Sequence, residues 1–191
     1  MIMINTYMRN YLKLLKPQKG FTLIELLVVI GILGILAAAL IATIDPFEQL
    51  RKADDANVKN TAVEFVNANI RYYTTHSILP WDNTNAPAAC QTGGNPSAAG
   101  LGGTQLLSCL GDPNTPNTII GDGELKQGFT SVTSILSSIL VTGTSNSITA
   151  CFLPQSKSQL ADANTKYSST GVVTTGCISQ GSTNKCYWCS E

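Results

Sequence analysis

The sequence predicts an α+β fold, in which a long N-terminal helical spine, membrane-spanning in its first half, packs on a small antiparallel β-sheet. Three observations predict it. Residues 21–44, FTLIELLVVIGILGILAAALIATI, are the one apolar run of membrane length. Beyond it, Val58, Ala62, Phe65, Val66, Ile70 and Tyr73 recur at spacings of three and four, a helical stripe. The second half of the chain is crowded with Gly, Ser, Thr and Asn around short β-branched runs, a composition of strands and turns.

The 191 residues suffice for one domain and one long extra element. Formal net charge is zero, but it is unevenly placed. The first twenty residues carry Arg9, Lys13, Lys16 and Lys19 and no acid, which leaves eight basic and twelve acidic side chains for the remainder. A basic head before an apolar stretch marks the cytoplasmic side. The acidic remainder does not indicate nucleic-acid binding.

At about 1.5 Å per residue, residues 21–44 reach about 36 Å, enough for a hydrocarbon core of about 30 Å. The run is too long for a secretory signal, and Asp45-Pro46 follows it with no small-residue cleavage pattern. A plain anchor fits the length but does not explain Glu25, within the first two turns of the run. A charge at mid-membrane costs about 2.5–3.5 kcal/mol, less near the interface. Either Glu25 only snorkels to the interface or it has a partner.

Its surroundings are Lys19-Gly20-Phe21-Thr22-Leu23-Ile24-Glu25. Here, and through KGFTLIELLVVIGILGILAA, the chain resembles the type IV pilin and type II secretion pseudopilin family. The resemblance implies cleavage by a prepilin peptidase after Gly20, N-methylation of Phe21, and an assembly role for Glu25. It also implies the partners: identical or related subunits in a filament, the inner-membrane assembly platform, and membrane lipid before assembly. The implied location is a single-pass inner-membrane protein with a cytoplasmic N-terminus, later in an extracellular pilus or periplasmic pseudopilus. Physical chemistry agrees with the pairing. A new amine at Phe21 and the Glu25 carboxylate are each expensive to desolvate alone and strongly coupled as a pair.

The spine is expected to run as one helix over 21–76 and to stop before Pro80. Glu48/Lys52 and Asp55/Lys59 are acid-first i,i+4 pairs and read as a solvated face. DPFEQLRKADDANVKNTAVEFVNANIRYYTTHSILP also resembles the family's stretch. Many pilins carry a proline where this chain has Ala42, so a break is expected at Gly31, Gly34 or Asp45-Pro46.

Residues 81–128 read as a long, loosely structured connection. Ser137–Thr142 and Ser147–Leu153 flank Gly143-Thr144-Ser145-Asn146, a hairpin signal; Gly171–Ser179 and Lys185–Cys189 are further strand candidates. The expected organisation is a leader over 1–20, a transmembrane and assembly half-helix over 21–44, and an amphipathic half over 45–78. A variable loop region over 79–128 and a disulfide-stapled β-sheet region over 129–191 complete it.

Six cysteines, Cys90, Cys109, Cys151, Cys177, Cys186 and Cys189, all follow the apolar run and read as disulfides made in an oxidising compartment. Sequence does not choose among the fifteen pairings. The expectation taken is Cys90 with Cys109, Cys177 with Cys186, and Cys151 with Cys189. Cys186-Tyr-Trp-Cys189 lacks the βαβ setting of a redox motif and the second ligand pair of a zinc site. The single histidine, His76, reads as a helix-end residue, and Asp122 and Glu124 leave a calcium loop open. No phosphate loop, zinc-protease helix or nucleophile elbow is present, so neither catalytic residues nor a cofactor or metal is expected.

Three classes of function remain: a structural pilin or secretion pseudopilin, a minor adhesive or DNA-uptake subunit of the same machine, or an unrelated single-pass protein. Gly20-Phe21 with Glu25 separates the first two from the third. If Gly20 ends a leader, mass spectrometry of the membrane-extracted protein finds methylated Phe21 as N-terminus, and Gly20→Val blocks the cut because a β-branched side chain is stiff where the backbone must pass. An intact Met1 in cells with an active prepilin peptidase contradicts this.

Overall fold

The computed structural model describes residues 20–43, 45–174 and 186–190. The chain divides into two compact units, one ending at Asp45 and one starting at Pro46. In the first, helix α1 (Leu23–Thr43) is apolar on every side, and none of its Leu23–Ile41 window is buried. In the second, helix α2 (Pro46–His76) opens on Pro46, which suits a first helical position because no N–H is needed there. The single helix expected over 21–76 is thus described as two, with the interruption at one of the expected places. The ring of Pro46 disfavours helical backbone at Asp45.

The sheet is antiparallel throughout, in the order β1-β2-β3-β5-β4. Its strands are β1 (Ala99–Gly100), β2 (Ile139–Gly143), β3 (Ile148–Phe152), β4 (Thr165–Tyr167) and β5 (Tyr187–Ser190). The β2–β3 hairpin follows the predicted segments, with β2 running one residue further, to Gly143 of the predicted turn, and it pairs Ile139 with Phe152 and Val141 with Ala150. Inward and outward residues alternate along β2. Strand β5 matches the expected Lys185–Cys189 strand to within two residues, and β4 is an addition. Of the Gly171–Ser179 candidate, Val173 forms an antiparallel bridge with Tyr167; residues 175–179 lie outside the described residues.

Helix α2 supplies one side of the core. Ala62, Phe65, Val66 and Tyr72 are buried with Ile139, Val141, Ala150, Phe152 and Trp188 of the sheet. Tyr72 is fully buried; its hydroxyl donates to the Asn117 carbonyl at 3.2 Å and accepts from Asn83 Nδ2 at 2.7 Å. Burial pushes its ionisation above the usual phenol value, the Asn83 hydrogen bond works the other way, and the negative charge of Asp122 adds to the rise.

The stretch expected to be loosely structured is well packed instead. It folds into a short 3₁₀ turn (Pro80–Asp82), helix α3 (Ala88–Gln91), β1, and helix α4 (Thr104–Leu110). Trp81, Cys90, Leu101, Leu106, Leu110, Ile119, Ile120 and Leu125 all enter the core. The physical reason is that single apolar residues between turns are enough to anchor a loop when a disulfide, here Cys90–Cys109, joins two of its helices. Gly143 is required by close approach, since a Cβ there would lie 2.6 Å from Trp81 Cζ2.

The charge pattern of α2 also differs from expectation. Glu48 and Asp55 are buried, and their partners are not lysines one turn on but backbone N–H groups about a hundred residues away. Asp55 accepts from the N–H of Gln155 at 3.0 Å, from the N–H of Ser156 at 2.7 Å and from Ser156 Oγ at 2.6 Å. Glu48 accepts from the N–H of Lys157 at 2.6 Å. Helix α5 spans Thr133–Ser138, and Ser156 caps the next helix, α6 (Lys157–Leu160), by accepting from the N–H of Gln159. Lys59 faces Asp162 at 3.6 Å and lies over the Trp188 ring rather than pairing with Asp55. Three N–H groups leaving water together need an ionised acceptor more than a lysine does, which decides where the carboxylates go.

Two outcomes follow from this packing. Asp55→Ala strands three donors and is expected to cost about 2–3 kcal/mol in urea unfolding of the detergent-solubilised chain, whereas exposed Asp54→Ala stays within about 0.5 kcal/mol. A raised Tyr72 ionisation means its contribution is intact below the unfolded phenol value of about 10 and is lost as pH rises through the higher folded value. Unfolding free energy should therefore fall above about pH 10, and the fall should be shallower in Tyr72→Phe.

Candidate functional site

The start of α1 brings three of the candidate residues within five positions of one another. Gly20 and Phe21 precede the helix in extended chain, both exposed, Phe21 to 83%. Thr22 is the residue before the first helical turn, and Glu25 lies in that turn. Thr22 and Glu25 bond reciprocally. The Thr22 N–H and Oγ1 donate to Glu25 Oε2 at 2.9 Å and 2.8 Å, and the Glu25 N–H donates to Thr22 Oγ1 at 3.3 Å. This is a capping box, in which two backbone N–H groups that a helix start leaves unpaired are satisfied by side chains.

The arrangement has a chemical use. A carboxylate at the N-terminus of an apolar helix sits at the positive end of the helix dipole. Threonine supplies it with two donors in cis, so the charge enters an apolar setting partly satisfied. The same oxygen is held against the backbone of Thr22, the residue that follows Phe21. Thr22 was missed as a functional residue by the sequence reading, although a signal was there: Thr-x-x-Glu ahead of an apolar run is the capping-box pattern.

The remaining candidates lie in the second unit. Cys90 is bonded to Cys109 and Cys151 to Cys189; Cys186 is also disulfide-bonded, and Cys177, the partner expected for it, lies outside the described residues. The Cys151–Cys189 bridge joins directly opposed residues of β3 and β5. His76 stacks on Tyr72 with ring centroids 4.1 Å apart, and its Nε2 lies 3.3 Å from Asp122 Oδ2. Arg71 Nε donates to Glu124 Oε2 at 3.1 Å, and Arg71 Nη2 also donates to the Glu124 carbonyl. Asp122 and Glu124 thus tie the 112–125 loop to the end of α2. Among the described residues no group of three His, Cys, Asp or Glu side chains is arranged to hold a metal ion.

Comparison with known proteins bears on the same segment. Residues 15–41 match the family model for the prokaryotic N-terminal methylation motif. Over 72 residues, 38% of this chain, the sequence is 40% identical to the type IV major pilin protein PilE of Neisseria gonorrhoeae. Over 75 residues, 39% of this chain, it is 37% identical to a fimbrial protein of Neisseria meningitidis serogroup A. The matched stretches cover 42% and 43% of those relatives, less than half of either. No solved structure matches the chain. With an exposed apolar helix opened by Thr22 and Glu25 and a following helix on a small antiparallel sheet, the chain is similar to type IV pilins over its N-terminal segment and carries the prokaryotic N-terminal methylation motif.

Proposed function

We propose that this protein is a structural subunit of a type IV pilus-like filament, anchored in the membrane by α1, cut after Gly20, methylated at Phe21 and assembled through α1. The observation that carries the reading is an apolar helix with no cover of its own, opened by a carboxylate, inside the segment that matches the methylation motif. Lipid covers that helix before assembly and neighbouring copies cover it afterwards. Exchanging lipid for apolar helices brings little hydrophobic gain, so close packing and polar contacts must direct it. Glu25 is the one charged side chain in the run, and the Phe21 amine of a neighbouring copy is the partner proposed for it. In this reading the Thr22 bonds hold the carboxylate until the amine of the neighbour replaces them.

A pilus subunit is preferred to a secretion pseudopilin because the matched relatives are named as a major pilin and as fimbrial proteins. The disulfides serve this role by holding the second unit together outside the cell. The prepilin peptidase and the assembly platform are the partners this processing requires.

Glu25→Ala and Glu25→Gln are expected to leave membrane insertion, cleavage and disulfides intact while sheared-filament yield, read by immunoblot, falls sharply. Thr22→Ala should lower yield less, because Glu25 keeps the backbone N–H of that residue, and Thr22→Ser should stay near wild type. Wild-type filament yield from both Glu25 variants would show that the carboxylate merely snorkels.

A further inference from the structure

We infer that the first two turns of α2 form an interfacial seat on the anionic phospholipid headgroup layer, an inference that rests on the membrane-anchored reading above. Phe47 and Leu50, three residues apart on one side of the helix, are 70% and 62% exposed. They are the large apolar side chains left uncovered at this end of α2, whereas further along the helix Phe65 and Tyr72 are fully buried. Chain connectivity limits where they can be. Phe47 lies six residues beyond Ile41, the end of the membrane-length window, so it is within about 20 Å of the span's end even if the chain is fully extended.

The charges around this seat match a phosphate layer. Arg51 and Lys52 are exposed on the helix, and Lys157 is exposed on the strap that the N–H of Lys157 ties to Glu48. Counting side chains alone, the balance is acidic: Asp45, Glu48, Asp54 and Asp55 outnumber Arg51, Lys52 and Lys157. Folding reverses the balance at the surface. Glu48 and Asp55 are buried against the N–H groups of residues 155–157, which leaves Arg51, Lys52 and Lys157 exposed beside Asp45 and Asp54. Arg51 also reaches back to Glu48 at 3.9 Å and keeps half of its side chain exposed. Apolar side chains flanked by cations, next to a membrane span, are the composition of an interfacial helix segment, in which each cation near an anionic surface contributes attraction.

The test uses the full chain reconstituted in vesicles of phosphatidylethanolamine and phosphatidylglycerol, with acyl chains brominated near the headgroup as quenchers. Phe47→Trp is compared with wild type, whose Trp81 and Trp188 are buried and set the background. Ile41→Trp serves as the control for anchoring. The expected result is loss of emission from both new tryptophans. The loss at position 47 should shrink when phosphatidylcholine replaces phosphatidylglycerol, and again in the Arg51→Gln/Lys52→Gln/Lys157→Gln variant. Quenching at 41 but not at 47 overturns the inference and leaves the anchoring reading standing. Absence of quenching at 41 overturns both. Quenching at 47 that ignores phosphatidylglycerol content and the triple variant overturns the assignment to anionic headgroups. An unquenched but blue-shifted Phe47→Trp whose shift grows with protein density identifies a second copy as the occupant, and also overturns it.

Discussion

Helix α1 has an apolar surface that cannot stay in water and that none of the described residues of its own unit covers. Much else about the molecule is a response to that constraint. The second unit closes a core of its own from α2 onward, with the inner face of a five-stranded sheet and with Trp81, Leu101, Leu106 and Ile119 of the loop region. Covalent bonds add to this: Cys90–Cys109 draws α3 and α4 together, and Cys151–Cys189 fastens β5 to β3.

The second unit divides its work between apolar and charged contacts by position. Where α2 faces the sheet, contact is apolar and dense. Near its start the sheet is not available, and the helix holds the chain at residues 155–157 through two buried carboxylates instead. Helix α6, which follows, buries none of its own side chains. Its attachment is therefore a matter of hydrogen-bond donors and acceptors, centred on the carboxylates of Asp55 and Glu48. A similar economy holds at the far end of α2, where Arg71 and His76 take Glu124 and Asp122, two of the acids of the 112–125 loop.

What was legible in the sequence is what depends on local pattern. The apolar run, the α2 stripe, the β2–β3 hairpin and the proline interruption are each written within a few residues of where they act. The start of α1 was legible as well, except for Thr22, whose capping pattern is four residues long and was passed over beside the conspicuous glutamate. Glu48 and Asp55 were misread for a different reason. An acid four residues before a lysine is the mark of a solvated face, and nothing nearby in sequence announces that the real donors are backbone groups about a hundred positions later. The packing of residues 81–128 was hidden similarly, because isolated apolar residues such as Trp81, Leu101 and Ile119 carry no periodicity until a fold brings them to one place.

Strand β5 has a consequence for how such a molecule is made. It is the latest described strand in chain order, yet it sits inside the sheet, between β3 and β4, and it carries one half of the Cys151–Cys189 bridge. A ribosome delivers it after everything it must fit between. Until it arrives, the gap between β3 and β4 stays open, and the sheet remains two separate pieces with unpaired edges. Closure waits for a segment that arrives only when synthesis has reached residue 190, so a prematurely halted chain would be unable to complete its sheet.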